Sequence, residues 1–64
     1  MRERAIEQTR AYLIGACAKH TGNIDNYLEN PEGSYALIDR LLAELEELTL
    51  YQGMLEALAS FEYE

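Results

Sequence analysis

A chain of 64 residues allows one small domain, which buries only about 60% of the surface that its unfolded form exposes. Its formal net charge of −7 argues against direct binding to nucleic acid, because a polyanion would be repelled. The single cysteine, Cys17, excludes an intramolecular disulfide. We therefore expect oligomerisation, or docking on another protein, to supply additional stability.

The first half of the chain has the periodicity of an amphipathic helix over about residues 3–20. Its apolar face is formed by side chains at three- and four-residue steps: Ile6, Thr9, Leu13, Ala16, Cys17 and His20. Gly22 suits the left-handed position that follows a helix end. The sequence therefore predicts that the first helix ends before Gly22.

Residues 23–29 are expected to form a short helical turn, with Ile24, Tyr27 and Leu28 pointing inward. The segment 30–34 contains Pro31 and Gly33 and is a clear break between elements. Asn30 or Ser34 can cap the helix that follows.

A second, longer helix is predicted over about residues 34–63. Its apolar stripe, widened by Leu37 and Leu42, is formed by Ile38, Leu41, Leu45, Leu48, Tyr51, Leu55 and Leu58. Gly53 is the weak point and could kink or break this helix, in which case a short third helix could fold back. We favour a continuous or slightly kinked helix. The fold class is an all-α antiparallel helical hairpin that assembles into a helical-bundle oligomer.

A second apolar row lies on another side of the long helix and predicts the oligomer interface. Its members, at four-, three- and four-residue steps, are Leu50, Met54, Ala57 and Phe61. One neighbouring helix cannot cover both this row and the main stripe. Self-association is the favoured explanation, and the alternatives are the folded-back third helix and a surface for a foreign partner.

The charge is divided unevenly along the chain. Residues 1–22 carry four basic and two acidic side chains, whereas residues 23–64 carry Arg40 against ten acids. This acidic part would attract a basic protein, such as one with a nucleic-acid-binding groove. We expect the partner to contact four carboxylates: Glu44, Glu46, Glu47 and Glu56.

No catalytic site, metal site or cofactor is predicted. Cys17 and His20 are the only pair with the character of metal ligands or of a nucleophile and its base, and a core thiol and a last-turn histidine explain them better. The glycines are dispersed and form no phosphate-binding loop. The protein is therefore expected to act without catalysis.

The N-terminus does not read as a secretory leader, because Glu3, Glu7 and Arg10 interrupt its uncharged run. No stretch reaches the length of a membrane-spanning helix. We expect a cytoplasmic protein with a reduced thiol and no membrane contact.

Five tyrosines suggest an alternative function, in which an oligomer sequesters a small anionic ligand. Tyrosine combines apolar area with a polar tip and is enriched at interfaces. The clamp for such a ligand would come from the guanidinium groups of Arg2, Arg4, Arg10 or Arg40.

Two resemblances add further expectations. The segment Ser34-Tyr35-Ala36-Leu37-Ile38-Asp39 resembles the signature of the small helical-hairpin aspartyl-phosphate phosphatases of sporulating bacteria, in which aspartate directly follows leucine. Here Ile38 is inserted, which rotates the Asp39 carboxylate by about 100°. In size and charge the chain is also similar to small acidic phage-encoded inhibitors. The leading expectation is a non-enzymatic regulatory or inhibitory protein that binds a basic partner as a homo-oligomer.

Overall fold

The hairpin consists of two long helices. A computed structural model describes residues 1–30 and 35–62, in which α1 spans Arg2–Leu28 and α2 spans Tyr35–Ala59. The helices run in opposite directions, so that Arg2 lies beside Phe61 and His20 lies beside Glu44. This confirms the all-α hairpin. Ser34, one of the two predicted caps and the predicted start of the second helix, lies outside the described residues. The predicted extension of this helix to about residue 63 is wrong, because α2 ends at Ala59.

The prediction that the first helix ends before Gly22 is wrong. The helix continues through Gly22 to Leu28, so the expected separate turn over residues 23–29 is its last part together with Glu29. No described glycine has a positive φ. A glycine in a helix costs about 1 kcal/mol relative to alanine. The burial of Ile24 against α2 offsets this cost, because burying an isoleucine side chain stabilises by about 1.5–3 kcal/mol.

The second helix is continuous through Gly53, as favoured, and the alternative of a break with a folded-back third helix is wrong. Beyond Ala59 the described chain turns, with the backbone N–H of Phe61 donating to the Leu58 carbonyl at 3.0 Å. Phe61 therefore lies just after the helix rather than inside it.

Each helix presents one stripe to the other, and both stripes have alternating four- and three-residue steps. In α1 the stripe is Ile6, Arg10, Leu13, Cys17, His20, Ile24 and Tyr27. In α2 it is Leu37, Leu41, Glu44, Leu48, Tyr51, Leu55 and Leu58. This heptad spacing is typical of helices that pack as a left-handed coiled coil. We call these two sets of residues the inner stripes.

The predicted faces were nearly but not entirely correct. In α1, Thr9 is exposed and Arg10 takes the inner position instead. In α2, Ile38 and Leu45 are exposed, whereas Glu44 lies half-buried between the helices. Glu44 is drawn inward because α1 supplies polar partners for its carboxylate. The core itself is small, since Leu13 and Ile24 are the only buried residues of the described chain.

The molecule is a rod rather than a sphere. Its dimensions are 48 × 14 × 12 Å and its radius of gyration is 14.9 Å, compared with about 11 Å for a compact domain of this length. Its accessible surface is 5143 Å², whereas a compact monomer of the same mass would expose about 4,200 Å². Two helices alone therefore leave an unusually large surface uncovered.

Candidate functional site

A polar cluster lies in the middle of the interface between the helices. His20 and Asn23 are three residues apart and thus lie on one face of α1. The Glu44 carboxylate accepts hydrogen bonds from both, at 2.5 Å from His20 Nδ1 and 3.2 Å from Asn23 Nδ2. The His20 ring also stacks on Tyr51, with ring centroids 5.5 Å apart and an angle of 15° between the planes.

Two acidic groups in this part of the interface have shifted pKa values. The hydrogen bond from His20 holds the pKa of Glu44 below its ordinary value of 4.5, and Asn23 acts in the same direction, although partial burial opposes them. The Tyr12 hydroxyl, partial burial and the Glu47 carboxylate raise the pKa of Tyr51 above 10. Glu44 is therefore a structural carboxylate that joins the two helices, rather than one that is free for a basic partner.

Two arginines of α1 contact the end of the described chain. Arg10 donates to the Glu62 carboxylate through both Nε, at 2.9 Å, and Nη2. Arg2 Nη2 donates to the backbone carbonyl of Phe61 at 2.8 Å. These contacts hold the open end of the hairpin together. Arg4 and Arg40 are exposed at separate places, and the four arginines do not form a common anion clamp in the single chain.

A shallow groove runs along α1 beside Tyr51. Its volume is about 400 Å³, and it is lined by Ala11, Tyr12, Gly15, Ala16, Lys19, His20 and Tyr51. Its lining combines small residues of α1 with two tyrosines, one from each helix. Of the other tyrosines, Tyr27 belongs to the inner stripe, Tyr35 is exposed and Tyr63 lies outside the described residues.

The row predicted as the oligomer interface lies on one flank of α2. Leu50, Met54 and Ala57 each precede an inner-stripe residue by one position, which places them about 100° around the helix. All three are exposed, and so is Phe61. In an antiparallel pair of right-handed helices, residues that precede inner-stripe positions lie on the same side of the hairpin. Tyr12 of α1 belongs to this side, which we call the tyrosine flank: Tyr12, Leu50, Tyr51, Met54, Ala57 and Phe61.

The opposite side carries a second apolar surface that sequence reasoning missed. Ile38, Leu42 and Leu45 each follow an inner-stripe residue by one position, and Ile14 and Leu28 do the same in α1. All five are exposed. We call this surface the aliphatic flank: Ile14, Leu28, Ile38, Leu42 and Leu45. Its signal in the sequence is the row Ile38, Leu42 and Leu45, which the sequence-based prediction included in the main stripe of α2.

The remaining acids proposed for a partner do not share one face. Glu46, Glu47 and Glu56 are exposed. Glu47 is seven residues before Met54 and therefore extends the row of the tyrosine flank, whereas Glu56 follows Leu55 and lies on the other side. The structure thus places one of the four carboxylates between the helices and leaves three at the surface, with Glu47 beside exposed apolar side chains.

The residues considered for metal binding and catalysis lie in different surroundings along the hairpin. Within residues 1–30 and 35–62, no three His, Cys, Asp or Glu side chains lie close enough to hold a metal ion. Cys17 is a half-buried free thiol of the inner stripe. His20 is engaged by Glu44, and Asp39 of the phosphatase-like segment is exposed. What the arrangement offers instead is apolar surface on both flanks of a single hairpin.

Neither of the two helices in the described part is both long and apolar enough to cross a membrane.

The comparisons with known proteins found no match. The sequence matches no protein-family model, and no curated protein or solved structure shows significant similarity to it.

Proposed function

We propose that this chain acts by binding other polypeptides rather than by catalysis, as a self-associating helical hairpin that presents carboxylates of α2 to a basic protein. The observation that carries this proposal is the distribution of apolar side chains. Two are buried in the described chain, whereas eleven large ones are exposed, nine of them on the two flanks of the hairpin. Exposed apolar surface of this extent is typical of interaction sites.

The size of the molecule supports self-association. Its accessible surface exceeds that of a compact monomer by roughly 900–1,000 Å². A standard protein interface removes about 800 Å² from each partner. Burial of one interface of ordinary size would therefore reduce the accessible surface of each chain to about that of a compact monomer.

The acidic side chains support a basic partner. Glu46 and Glu47 lie at one end of the apolar row of the tyrosine flank, so a partner that combines Lys or Arg with apolar groups would find both kinds of contact there. In this proposal the chain is a regulatory or inhibitory protein that works in the cytoplasm. Cys17 remains a thiol in that compartment, because the cytoplasm keeps cysteines reduced.

Mass in solution tests the first part of the proposal. We expect light scattering after size-exclusion chromatography to give at least twice the mass of the chain at micromolar concentration, and the melting temperature to rise with protein concentration. A mass of one chain across this range would refute self-association.

Charge reversal tests the second part. In affinity purification from the source cells, we expect the unaltered chain to retain basic proteins that a Glu46→Lys/Glu47→Lys variant loses. Raising the salt concentration should release the same proteins, because salt screens exposed charges. Arg4→Gln is the matched control, since it alters an exposed charge of α1 that the proposal does not use. Retention unchanged by charge reversal would contradict the role of the carboxylates.

A further inference from the structure

We propose that the aliphatic flank is the surface on which a second copy of this chain docks, so that two hairpins form a four-helix bundle and the tyrosine flank stays outside it. This inference rests on the proposed self-association and assigns it to a face. It differs from the sequence-based expectation, which placed the oligomer interface at Leu50, Met54, Ala57 and Phe61.

The first argument is the composition of the aliphatic flank. Its five large side chains are 42–65% exposed: Ile14, Leu28, Ile38, Leu42 and Leu45. Leu and Ile without aromatic or cationic residues are typical of a domain core. Interfaces between permanently associated copies resemble such a core cut in half.

The second argument is the spacing of the flank in α2. Ile38, Leu42, Leu45 and Thr49 have four-, three- and four-residue steps, the same as the inner stripe beside them. Two adjacent stripes with heptad spacing let one helix pack against two neighbours at once, as helices do in four-helix bundles. One neighbour is α1, and the second must come from outside the chain.

The third argument concerns Thr49, the only polar member of this row. Its hydroxyl donates to the Leu45 carbonyl at 2.8 Å, so the hydroxyl hydrogen already has an acceptor within the helix. The row can therefore enter an apolar interface without leaving this donor unpaired, which would cost free energy.

The fourth argument is the contrast with the tyrosine flank. That flank combines Tyr, Met and Phe with Glu47, three residues before Leu50, and borders the groove that contains Lys19. On the opposite side, the acids that follow an inner-stripe residue are Glu7, Asp25 and Glu56, and none of them lies within the row from Ile38 to Thr49. Tyr, Met and Phe are enriched in surfaces that bind foreign proteins, and the nearby charges would remain solvated at the rim of such a contact. A hairpin that buries only two of its described residues gains little stability alone, and a copy of itself is present wherever the chain is made.

Matched double substitutions test the assignment. We expect Leu42→Glu/Leu45→Glu to weaken dimerisation by roughly a hundredfold or more, because an interface cannot bury unpaired carboxylates. Leu50→Glu/Met54→Glu, on the tyrosine flank, should leave the dimer mass unchanged. Both variants alter exposed residues. Leucine and methionine favour the helix and so does glutamate, so the helix content measured by circular dichroism should be retained.

The outcomes separate the two proposals. A native chain that is monomeric at all concentrations would refute both. A native dimer that survives Leu42→Glu/Leu45→Glu but dissociates on Leu50→Glu/Met54→Glu would overturn the assignment and leave self-association standing. Loss of the dimer in both variants would also overturn the assignment.

A milder probe covers the case in which the glutamate variants do not fold. In a Cys17→Ser background, single Leu42→Cys and Met54→Cys variants would be compared for their rates of thiol alkylation. We expect the Leu42→Cys thiol to react at least tenfold more slowly when the protein concentration is raised through the dimerisation range. The Met54→Cys thiol should react at a constant rate, and the reverse pattern would overturn the inference.

Discussion

The two helices of the hairpin use their apolar residues differently. Both buried residues, Leu13 and Ile24, belong to α1, whereas α2 has no buried residue although it is the more apolar helix. In α1 the large apolar side chains are divided between the inner stripe and three exposed positions, Tyr12, Ile14 and Leu28. In α2 they form the inner stripe and a row on either side of it. The difference teaches that the hairpin covers more of the apolar surface of α1 than of α2.

Of the changes that test this contrast, truncation of a buried leucine in α1 should have the largest effect on the stability of the chain. Leu13→Ala should lower the free energy of unfolding by about 2–5 kcal/mol, a large part of the total expected for so short a chain. Leu42→Ala, at an exposed position of α2, should cost less than about 0.5 kcal/mol in dilute solution. Urea denaturation followed by circular dichroism measures both.

The comparison between Leu13→Ala and Leu42→Ala should depend on protein concentration. If a second copy covers α2, the cost of Leu42→Ala should grow as the concentration is raised, because the side chain then becomes buried. Equal losses for Leu13→Ala and Leu42→Ala in the monomeric range would contradict the contrast between the helices.

Glycine substitutions should have a smaller effect of opposite sign. A Cβ added at Gly53 in α2 meets no atom within 4 Å, and the same is true of Gly15 in α1. Each Gly→Ala change should therefore stabilise the chain by about 0.5–1 kcal/mol, since alanine has the higher helix propensity. Thermal denaturation of the two single variants measures the gain. A loss of stability in Gly53→Ala at high concentration would show that another chain packs closely over that part of α2.

The pH dependence of the link between the helices should be the smallest effect. The pKa of Glu44 is lower in the folded chain than its ordinary value of 4.5. The ionised carboxylate therefore contributes stability above pH 4.5, which is lost as the pH falls through the lowered folded pKa. Glu44→Gln should lose less stability on acidification than the unaltered chain does.

The matched control for this measurement is Glu46→Gln, which removes a neighbouring exposed carboxylate. Denaturation at pH 7 and at two pH values below 4.5 should give parallel curves for Glu46→Gln and the unaltered chain. Identical pH dependence in all three proteins would argue against a stabilising role for the contact between His20 and Glu44.

The helical hairpin could be predicted from periodicity, because Leu13 in α1 and Leu48 and Leu55 in α2 recur at helical spacing. The end of α1 could not be predicted in the same way. Gly22 ends a helix only where a longer helix would bring the following residues no additional packing. Here Ile24 and Tyr27 extend the inner stripe, and their packing outweighs the local preference.

The choice of inner face in α2 was the other error, and it has a physical reason. Glu44 and Leu45 are neighbours, and hydrophobicity alone assigns Leu45 to the interior. The partners of Glu44 are 24 and 21 residues away, at His20 and Asn23, and local sequence does not reveal such contacts. Because Leu45 was assigned to the core, the aliphatic flank was not recognised as a surface.

The contact between His20 and Glu44 also determines which alignment of the two helices is allowed. The inner stripes repeat every seven residues, so apolar packing alone would tolerate sliding one helix by a heptad. Such a slip would place the Glu44 carboxylate opposite Leu13 or Tyr27 instead of His20, and would remove this hydrogen-bond partner. A half-buried polar pair at one position of a repetitive interface thus disfavours shifted pairings. The Glu44 carboxylate therefore favours the one alignment in which His20 and Asn23 lie beside it.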